Sequence, residues 1–498
     1  MSPSIKKNFA FSLAYEVLAF AIPLITAPYL SRILGPDGIG AYSYSYNVAY
    51  YFGMFATLGM LRYGTRSIAS VRDLQATKDQ LFWELFFTQL LTAGFALALY
   101  LVYLFLFGDS LSAIWILYIL STALDVTWLF RGEEDFKITV VRNSVIKCLT
   151  AFCIFVFIKG RDDVWLYVAI MSLGYFISQV VLWPYVKKHI ASFHIPKFCK
   201  LIRHLKPSVI LFVPLIATSV YRVLDKILIG LLSSSAQLGF FDCADKIIMV
   251  PLGVISALGA VVLPRMSYLI STGEERKGVK FIRSTMSFSM IIAICLMFGL
   301  IATGDLFAVV YFGDNYTETG YLLVVMSVTV PMIAWASVIR EQYLIPKRLD
   351  KQYDIDNKIR EPKTLSDYLF YLVISVAVGA VFNIMLNLWA IPRWNARGAA
   401  LVTIATELLV CVMLTASARK YLDIKQYVSD SLPYLGIGVL MCISVKVLAR
   451  VLSIGKVSPP LLLVLEIIFG LIVFGALLAV LARHSTSHRA IIGSLIKK

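Results

Sequence analysis

Three charged residues lie together on one predicted helix whose surroundings are apolar. Arg222, Asp225 and Lys226 stand at i, i+3 and i+4 near the middle of the stretch 208–232, a spacing that puts side chains on one helix face. An ionisable side chain at membrane depth costs at least about 2.5–3.5 kcal/mol and marks a functional site by default. We interpret this face, which is cationic overall, as lining a cavity. The alternative is an interhelical ion network that fixes packing.

Ionisable residues recur in or beside other apolar stretches. In the first half these are Glu16, Asp125, Arg142 and Lys147, and in the second half they are the neighbours Asp245 and Lys246. Adjacent residues on a helix do not face each other, so no pairing is predicted for the last two. We expect the same preference for a cavity over lipid.

A run of tyrosines marks a second kind of candidate site. Tyr46 and Tyr50 stand one helical turn apart in the stretch 39–61, and Asn47 lies beside them. Tyrosine rings stack and their hydroxyls form hydrogen bonds, a combination that suits sugars. The alternative is an aromatic belt at the outer membrane surface.

The composition is that of a membrane protein. Of 498 residues, 59% are hydrophobic and only 15% charged, with a mean hydropathy of +0.79. Soluble domains contain about 45–50% apolar residues and about 25% charged ones. A soluble enzyme, a disordered chain and a secreted disulfide scaffold are therefore excluded. The seven cysteines form no C-x-x-C pair, which argues against a zinc site or a disulfide framework.

About 14 stretches reach the roughly 20 apolar residues that a spanning helix needs. They are 9–30, 39–61, 81–107, 111–130, 143–159, 164–185, 208–232, 243–264, 284–303, 321–345, 366–391, 398–418, 433–453 and 459–482. The sequence thus predicts an all-α integral membrane protein. Its first helix is expected to be retained, because Glu16 interrupts the run and no small-residue cleavage site follows.

The distribution of Lys and Arg sets the orientation. With the N-terminus inside, 33 of the 46 Lys and Arg residues fall on inner segments and 7 on outer ones. This bias predicts that both termini are cytoplasmic. It also explains most of the net charge of +16, so nucleic acid is not expected as a partner.

The order of the helices predicts two bundles. We assign 1–186 to an N-terminal six-helix bundle, 187–207 to a basic cytoplasmic linker, 208–420 to a second six-helix bundle, and 421–498 to two further helices with a cytoplasmic tail. Gly40 and Gly59 in the first bundle are echoed by Gly239 and Gly259 in the second. Such a parallel repeat encloses a central cavity and permits alternating access.

Short motifs run in order from about residue 8 to residue 410. They include Pro23-Leu24-Ile25-Thr26-Ala27-Pro28-Tyr29-Leu30-Ser31-Arg32, Tyr63-Gly64-Thr65-Arg66, Asp225-Lys226, Ala244-Asp245-Lys246, Leu263-Pro264-Arg265-Met266, Asn383 with Asn387, Ile391-Pro392, and Thr406-Glu407. In these motifs the chain resembles the bacterial O-antigen and polysaccharide repeat-unit flippases. That family belongs to the multidrug/oligosaccharidyl-lipid/polysaccharide (MOP) superfamily, with the MATE exporters and the lipid II flippase. Arg397 departs from the pattern, which leads us to expect a small or apolar residue there.

The resemblance implies a MATE-like fold and a transporter rather than an enzyme. Its cargo would be an undecaprenyl-diphosphate-linked oligosaccharide, turned to the outer leaflet of the bacterial plasma membrane for O-antigen, capsule or exopolysaccharide assembly. Polysaccharide polymerase and glycosyltransferases are the implied partners. A MATE-like small-molecule exporter is the main alternative, and a membrane glycosyltransferase or polymerase is another.

That cargo gives the candidate residues their roles. The expected diphosphate or cavity contacts are Arg222, Lys226, Lys246, Arg32, Arg142 and Lys147, and the expected sugar contacts are Asn47, Tyr46 and Tyr50. Asp225, Asp245, Glu16 and Asp125 are candidates for charge balance or for coupling to an H+ or Na+ gradient. No resident cofactor or metal is expected.

Overall fold

The computed structural model describes residues 3–272, 274–344, 365–419, 421–454 and 457–485. Every regular element in these ranges is a helix, so the prediction of an all-α protein is confirmed. Most of the segment between the predicted spans 321–345 and 366–391, and most of the predicted cytoplasmic tail, lie outside the described residues. The backbones of Glu16 and Arg222 belong to helices, but their side chains lie outside the description.

Long apolar runs form helices because in hydrocarbon every backbone N–H and C=O must be paired within the chain. The first compact unit is Met1–Gly239. It contains α1 (Pro3–Thr57), α2 (Met60–Ser70), α3 (Gln75–Phe107), α4 (Ser110–Ile114), α5 (Ile116–Ala123), α6 (Thr127–Gly132), α7 (Phe136–Phe157), α8 (Val164–Val180), α9 (Trp183–Val186) and α10 (Phe198–Leu232).

The second compact unit is Phe240–Lys498. The helix α11 (Ser235–Ser271) begins at the end of the first unit and continues into the second. The following elements are α12 (Glu275–Phe312), α13 (Thr317–Ser327), α14 (Thr329–Ser337), a π-helical segment (Val338–Leu344), α15 (Leu365–Ala418), α16 (Ile424–Ile454) and α17 (Pro459–His484). The predicted bundle boundaries remain a prediction, and α10 packs within the first unit against α1, α2 and α3.

The described helices make the protein multi-pass. Eight segments are long and apolar enough to cross a membrane. A ninth results if Asp314–Ser327 and Thr329–Leu344, which bend by 42°, form one span. The 14 predicted stretches fall mainly on helix, but their number as membrane spans stays a prediction.

Two of the longest helices are each interrupted by one residue. Gly35 (φ 69°, ψ 177°) divides α1, and Asn395 (φ 52°, ψ −136°) divides α15. Positive φ is open to glycine at little cost and is also tolerated by asparagine. The predicted spans 9–30 and 39–61 are therefore two arms of one interrupted helix, and so are 366–391 and 398–418.

Two glycines allow the α1 turn to touch the start of α11. A Cβ at Gly40 would overlap the carbonyl of Ser235, and a Cβ at Gly239 would overlap the carbonyl of Pro36. Only glycine permits so close an approach of two backbones. These are the two glycines that the proposed repeat aligned, and the structure places them in a single contact.

Two arginines tie helices together in the second unit. Arg283 of α12 binds Asp430 of α16 through two bonds of 2.6 and 2.8 Å. Arg397 of α15 binds Glu318 of α13 in the same bidentate way at 2.6 and 2.7 Å. Its guanidinium also lies 4.4 Å from the centre of the Tyr321 ring. Arg397 thus has a structural partner, which accounts for this departure from the sequence pattern.

Candidate functional site

The helix that carries the predicted charged face, α10, lies antiparallel along the second arm of α1. The Ser208 hydroxyl donates to the Leu58 carbonyl at 2.7 Å, and the Tyr51 hydroxyl donates to the Ser219 carbonyl at 3.2 Å. Further along, the Tyr44 ring packs against Gly230, where a Cβ would collide with the ring. These contacts at three heights fix the rotation of α10 about its own axis.

Asp225 is buried, and Lys226 is partly buried. The carboxylate is only 3% exposed and is close enough to Tyr51 to interact with it electrostatically. The structure therefore turns this acidic member of the predicted face inward, away from lipid. Arg222 lies on the same helix, and its side chain is outside the described residues.

Lys246 has a partner that the sequence analysis overlooked. Its Nζ lies 2.7 Å from Asp242 Oδ2, one helical turn earlier on α11. Asp242 is buried, whereas Asp245 is partly exposed. The i,i+4 spacing of Asp242 and Lys246 was the signal that could have found this pair.

Arg142 holds α7 to α8. Its guanidinium donates to the Ser178 carbonyl at 2.8 Å, to Gln179 Oε1 at 3.2 Å and to Asn143 Oδ1 at 2.7 Å. The side chain is buried, because these acceptors replace water around the charge. Lys147, on the same helix, is half-buried, and Arg32 of α1 is exposed.

Asp125 lies in the short connection between α5 and α6. Its Oδ1 accepts from the Thr127 N–H at 2.8 Å, which places the carboxylate at the start of α6. Its backbone carbonyl accepts from Gln89 at 2.8 Å. Among the described residues, no group of three or more His, Cys, Asp or Glu side chains could hold a metal ion.

The predicted sugar contacts belong to an aromatic cluster that joins α1, α5 and α8. Tyr46 lies 5.2 Å from Trp115 and 6.0 Å from Tyr118 between ring centres, and its hydroxyl lies 3.4 Å from the Tyr175 hydroxyl. Tyr50 touches Tyr46 at 6.2 Å. Asn47 is buried, and its amide donates to the Ser43 carbonyl at 2.6 Å and to the Ser43 hydroxyl at 3.1 Å.

Sequence reasoning missed a buried acid that binds the predicted linker. Asp79 of α3 accepts hydrogen bonds from the Ser192 N–H and hydroxyl, both at 2.8 Å, and from the Ala191 N–H at 3.2 Å. Trp83, one turn later, donates from its indole to the Ser192 carbonyl at 2.9 Å. The part of the linker around residue 192 is thus anchored on the first unit.

A second acid on α3 holds the beginning of α10. Glu84 accepts from Lys200 at 2.9 Å, and its other oxygen lies 3.1 Å from His204 Nε2. The His204 Nδ1 lies 2.8 Å from the Tyr63 hydroxyl of α2. Burial raises the pKa of Tyr63, so its hydroxyl keeps its proton. No local spacing connects these residues, because the acid and its partners are 116 and 120 positions apart.

A known family model covers nearly all of the first unit, including α10, and most of α11. The sequence model described as "Polysaccharide biosynthesis protein" matches residues 5–270, which is more than half of the chain. The chain belongs to the polysaccharide biosynthesis protein family. The resemblance stated from the motifs is thereby confirmed.

Similarity to known proteins extends beyond the residues that the family model matches. A Shigella dysenteriae protein named "Putative O-antigen transporter" is 26% identical over 423 residues, which cover 83% of this chain and 100% of that protein. The solved structure of the lipid II flippase MurJ in an inward closed conformation matches with a TM-score of 0.70 at 13% identity, covering 96% and 99% of the two chains. An inward-facing MATE family multidrug resistance transporter of the MOP superfamily matches with a TM-score of 0.60 at 11% identity, covering 82% and 94%. The predicted MATE/MOP-like fold is confirmed.

This member of the polysaccharide biosynthesis family also buries polar side chains in its second unit. On α15, Asn383, Asn387, Thr406 and Glu407 are each at most 5% exposed. The Asn387 amide donates to Asn383 Oδ1 at 3.1 Å across one helical turn. These were among the motif residues of the sequence, and the structure places them inside the second unit instead of on its lipid surface.

Proposed function

We propose that this protein is a flippase that moves undecaprenyl-diphosphate-linked oligosaccharide repeat units from the cytoplasmic to the outer leaflet of the plasma membrane. The observation that carries the proposal is the buried carboxylate of Asp225 on α10, in a chain of the polysaccharide biosynthesis family. The 26% identical relative is named as an O-antigen transporter. The protein acts as a transporter and not as an enzyme.

The cargo explains why fixed charges are kept inside a membrane protein. A diphosphate carries about two negative charges, and transferring them with many sugar hydroxyls into hydrocarbon would cost tens of kcal/mol by idealised estimates. Fixed cations along the path lower that barrier, while the polyprenyl tail stays in lipid. Arg binds phosphate bidentately and Lys acts as a point charge.

The diphosphate is assigned first to Arg222 and Lys226, which share a helix with the enclosed Asp225. Lys246 and Arg32 are assigned as helpers. Arg142 and Lys147 remain cavity candidates, although the three acceptors around Arg142 give it a packing role as well. Tyr46, Tyr50 and Asn47 are assigned to the sugars.

The proposal includes the surroundings of the protein. Both termini lie in the cytoplasm, where the repeat unit is made by glycosyltransferases, and a polysaccharide polymerase consumes it on the outer face. Directional transport draws on an H+ or Na+ gradient, with Asp225, Asp245, Glu16 and Asp125 as the carboxylates available for coupling. Transport that only equilibrates the leaflets needs no such input.

Depletion of the protein in its host tests this function. Polyprenyl-linked lipids are extracted and identified by mass spectrometry, and their leaflet is probed with a membrane-impermeant reagent. Complete repeat units on the cytoplasmic side are the expected result. Complete units on the outer side would identify a polymerase, truncated units a glycosyltransferase, and unchanged lipids a small-molecule exporter.

Single substitutions test the assignment of the diphosphate site. We expect Arg222→Ala and Lys226→Ala each to reduce flipping at least about tenfold, since a hydrogen bond to a charged group contributes roughly 1.5–3 kcal/mol. Lys446→Ala is the matched control, because this lysine lies on the membrane helix α16 with its side chain exposed. Normal flipping in both cavity variants would refute the assignment.

A further inference from the structure

The aromatic cluster of the first unit has a buried layer and a partly exposed layer. Trp115 is fully buried, and Tyr42 and Tyr167 are each only 7% exposed. Tyr46, Tyr50, Tyr118 and Tyr175 keep a larger exposed fraction. We call these four residues the tyrosine wall. The buried rings support the wall, as shown by the contact of Trp115 with Tyr46 at 5.2 Å.

The wall is continuous across three helices. The Tyr118 and Tyr175 ring centres are 5.1 Å apart, and Tyr46 lies 6.0 Å from Tyr118 and 6.3 Å from Tyr175. Gly53 makes room for the Tyr118 ring, since a Cβ there would approach its Cε1 to 2.7 Å. The rings of α1, α5 and α8 therefore form one surface.

The exposed part of the wall does not face lipid. On α8 the large exposed apolar side chains are Trp165, Leu173, Ile177 and Val180, which lie within an arc of about 120° around the helix. With 3.6 residues per turn, Tyr175 lies about 200° around the helix from Leu173. None of the large exposed apolar side chains among the described residues lies on α5, which carries Tyr118. Both tyrosines thus keep their exposure on the inner side of the first unit.

Four partly exposed tyrosines on an inner surface differ from an ordinary membrane core. A core would bury its rings completely, and it would use Phe or Leu where no hydroxyl partner is needed. Here, hydroxyls and ring faces are presented together and without a formal charge. The C–H face of a pyranose packs on such a ring, while its hydroxyl groups exchange hydrogen bonds with the phenol groups.

We propose that the tyrosine wall binds the sugars of the transported oligosaccharide, and that Tyr118 and Tyr175 are glycan-contact residues alongside Tyr46 and Tyr50. The inference rests on the proposed flippase function and extends it, because it separates recognition of the glycan from recognition of the diphosphate. The wall holds pyranose rings by stacking, so it serves neutral as well as acidic sugars.

Binding of two lipids to the purified full chain in detergent tests the wall. The first probe is the polyprenyl-diphosphate-linked repeat unit isolated from cells depleted of the protein, and the second is undecaprenyl diphosphate without sugar. Tyr118→Ala and Tyr175→Ala are expected to weaken binding of the first probe about tenfold each, a typical loss when a contact ring is truncated. Binding of the second probe is expected to stay unchanged.

Further variants keep the test interpretable. Tyr118→Phe and Tyr175→Phe retain the ring and its packing, so a smaller loss that is again confined to the glycan-bearing probe is expected even where an alanine variant fails to fold. Tyr103→Ala is the matched control, because this partly exposed tyrosine of α3 packs on Phe52 and Tyr100, outside the wall.

The outcomes separate the two proposals. Equal losses for both probes, or no loss for either in folded variants, would overturn the wall and leave the flippase function standing. Binding of neither probe by the unaltered protein would overturn the function and the wall together. A selective loss for the glycan-bearing probe supports both.

Discussion

Replacement of Asp79 by alanine tests whether the linker after α9 is held by one buried carboxylate. Asp79 is 2% exposed and accepts hydrogen bonds from Ala191, Ser192 and Gln75. Alanine removes both oxygens, and the donors on the linker lose their common acceptor. We expect the linker around residue 192 to open locally while the helices of the first unit stay folded.

The size of the effect follows from the bonds that are lost. The Ser192 N–H and hydroxyl bond the carboxylate at 2.8 Å, and the Ala191 N–H bonds it at 3.2 Å. Hydrogen bonds to a charged group contribute about 1.5–3 kcal/mol each. Neighbouring bonds are not additive, and the released donors regain water. We therefore expect about 3 kcal/mol for opening of the segment, which corresponds to roughly 150-fold.

Hydrogen exchange of the purified protein in detergent measures this opening directly. The amides of Ala191 and Ser192 are expected to exchange roughly 150-fold faster in Asp79→Ala, and the increase should be smaller in Asp79→Asn, which keeps one acceptor oxygen. Asp73→Ala is the matched control, because this nearby acid is exposed. Unchanged exchange at both amides in a folded variant would show that Trp83 and the chain connection hold the linker, and would refute the reasoning.

Three further substitutions have outcomes that the structure sets. Arg283→Ala leaves the buried carboxylate of Asp430 on α16 without its arginine, so we expect the free energy of unfolding to fall by about 3–5 kcal/mol. Thermal or denaturant unfolding measures this loss, and an unchanged midpoint would contradict the pairing. Gly239→Ala places a methyl group against the Pro36 carbonyl and should lower the yield of folded protein, as measured by size-exclusion chromatography. Gly94→Ala is the control, because Gly94 has open space around it and the yield should stay unchanged. Glu318→Ala removes a partly exposed bidentate pair, for which a loss of about 1 kcal/mol is expected, and a double-mutant cycle with its arginine partner should return a coupling of that size, not zero.

Features whose free-energy cost depends only on the local sequence could be predicted from the sequence. A charge in an apolar stretch is costly wherever the helix packs, so Asp225 could be singled out before its surroundings were known. The structure then shows that its side chain is buried. Apolar runs of membrane length likewise predicted the helices, because unpaired backbone groups are not tolerated in hydrocarbon.

Contacts between distant segments could not be predicted in the same way. The pair Asp242–Lys246 is local, and its i,i+4 spacing is enough to predict it. Asp245, which is adjacent to Lys246, is not its partner in this ion pair. Asp79 and Ser192 are 113 positions apart, and no local sequence pattern in either segment predicts that they are in contact. From the sequence alone, an acid near the start of a helix, such as Asp79, could equally cap its own helix or bind a distant segment. Only the folded structure distinguishes these two roles.

The placement of α10 shows how these distant contacts bear on the candidate site. Glu84 holds the beginning of the helix through Lys200 and His204, and just beyond its end Gly239 rests on the Pro36 carbonyl. Between these points Tyr51 bonds the middle of the helix. Because α10 is fixed to the first unit at both ends and in the middle, the direction of its charged face is set by that unit. The sequence could place the charges on a face, but which residues orient the face depends on contacts that only the fold creates.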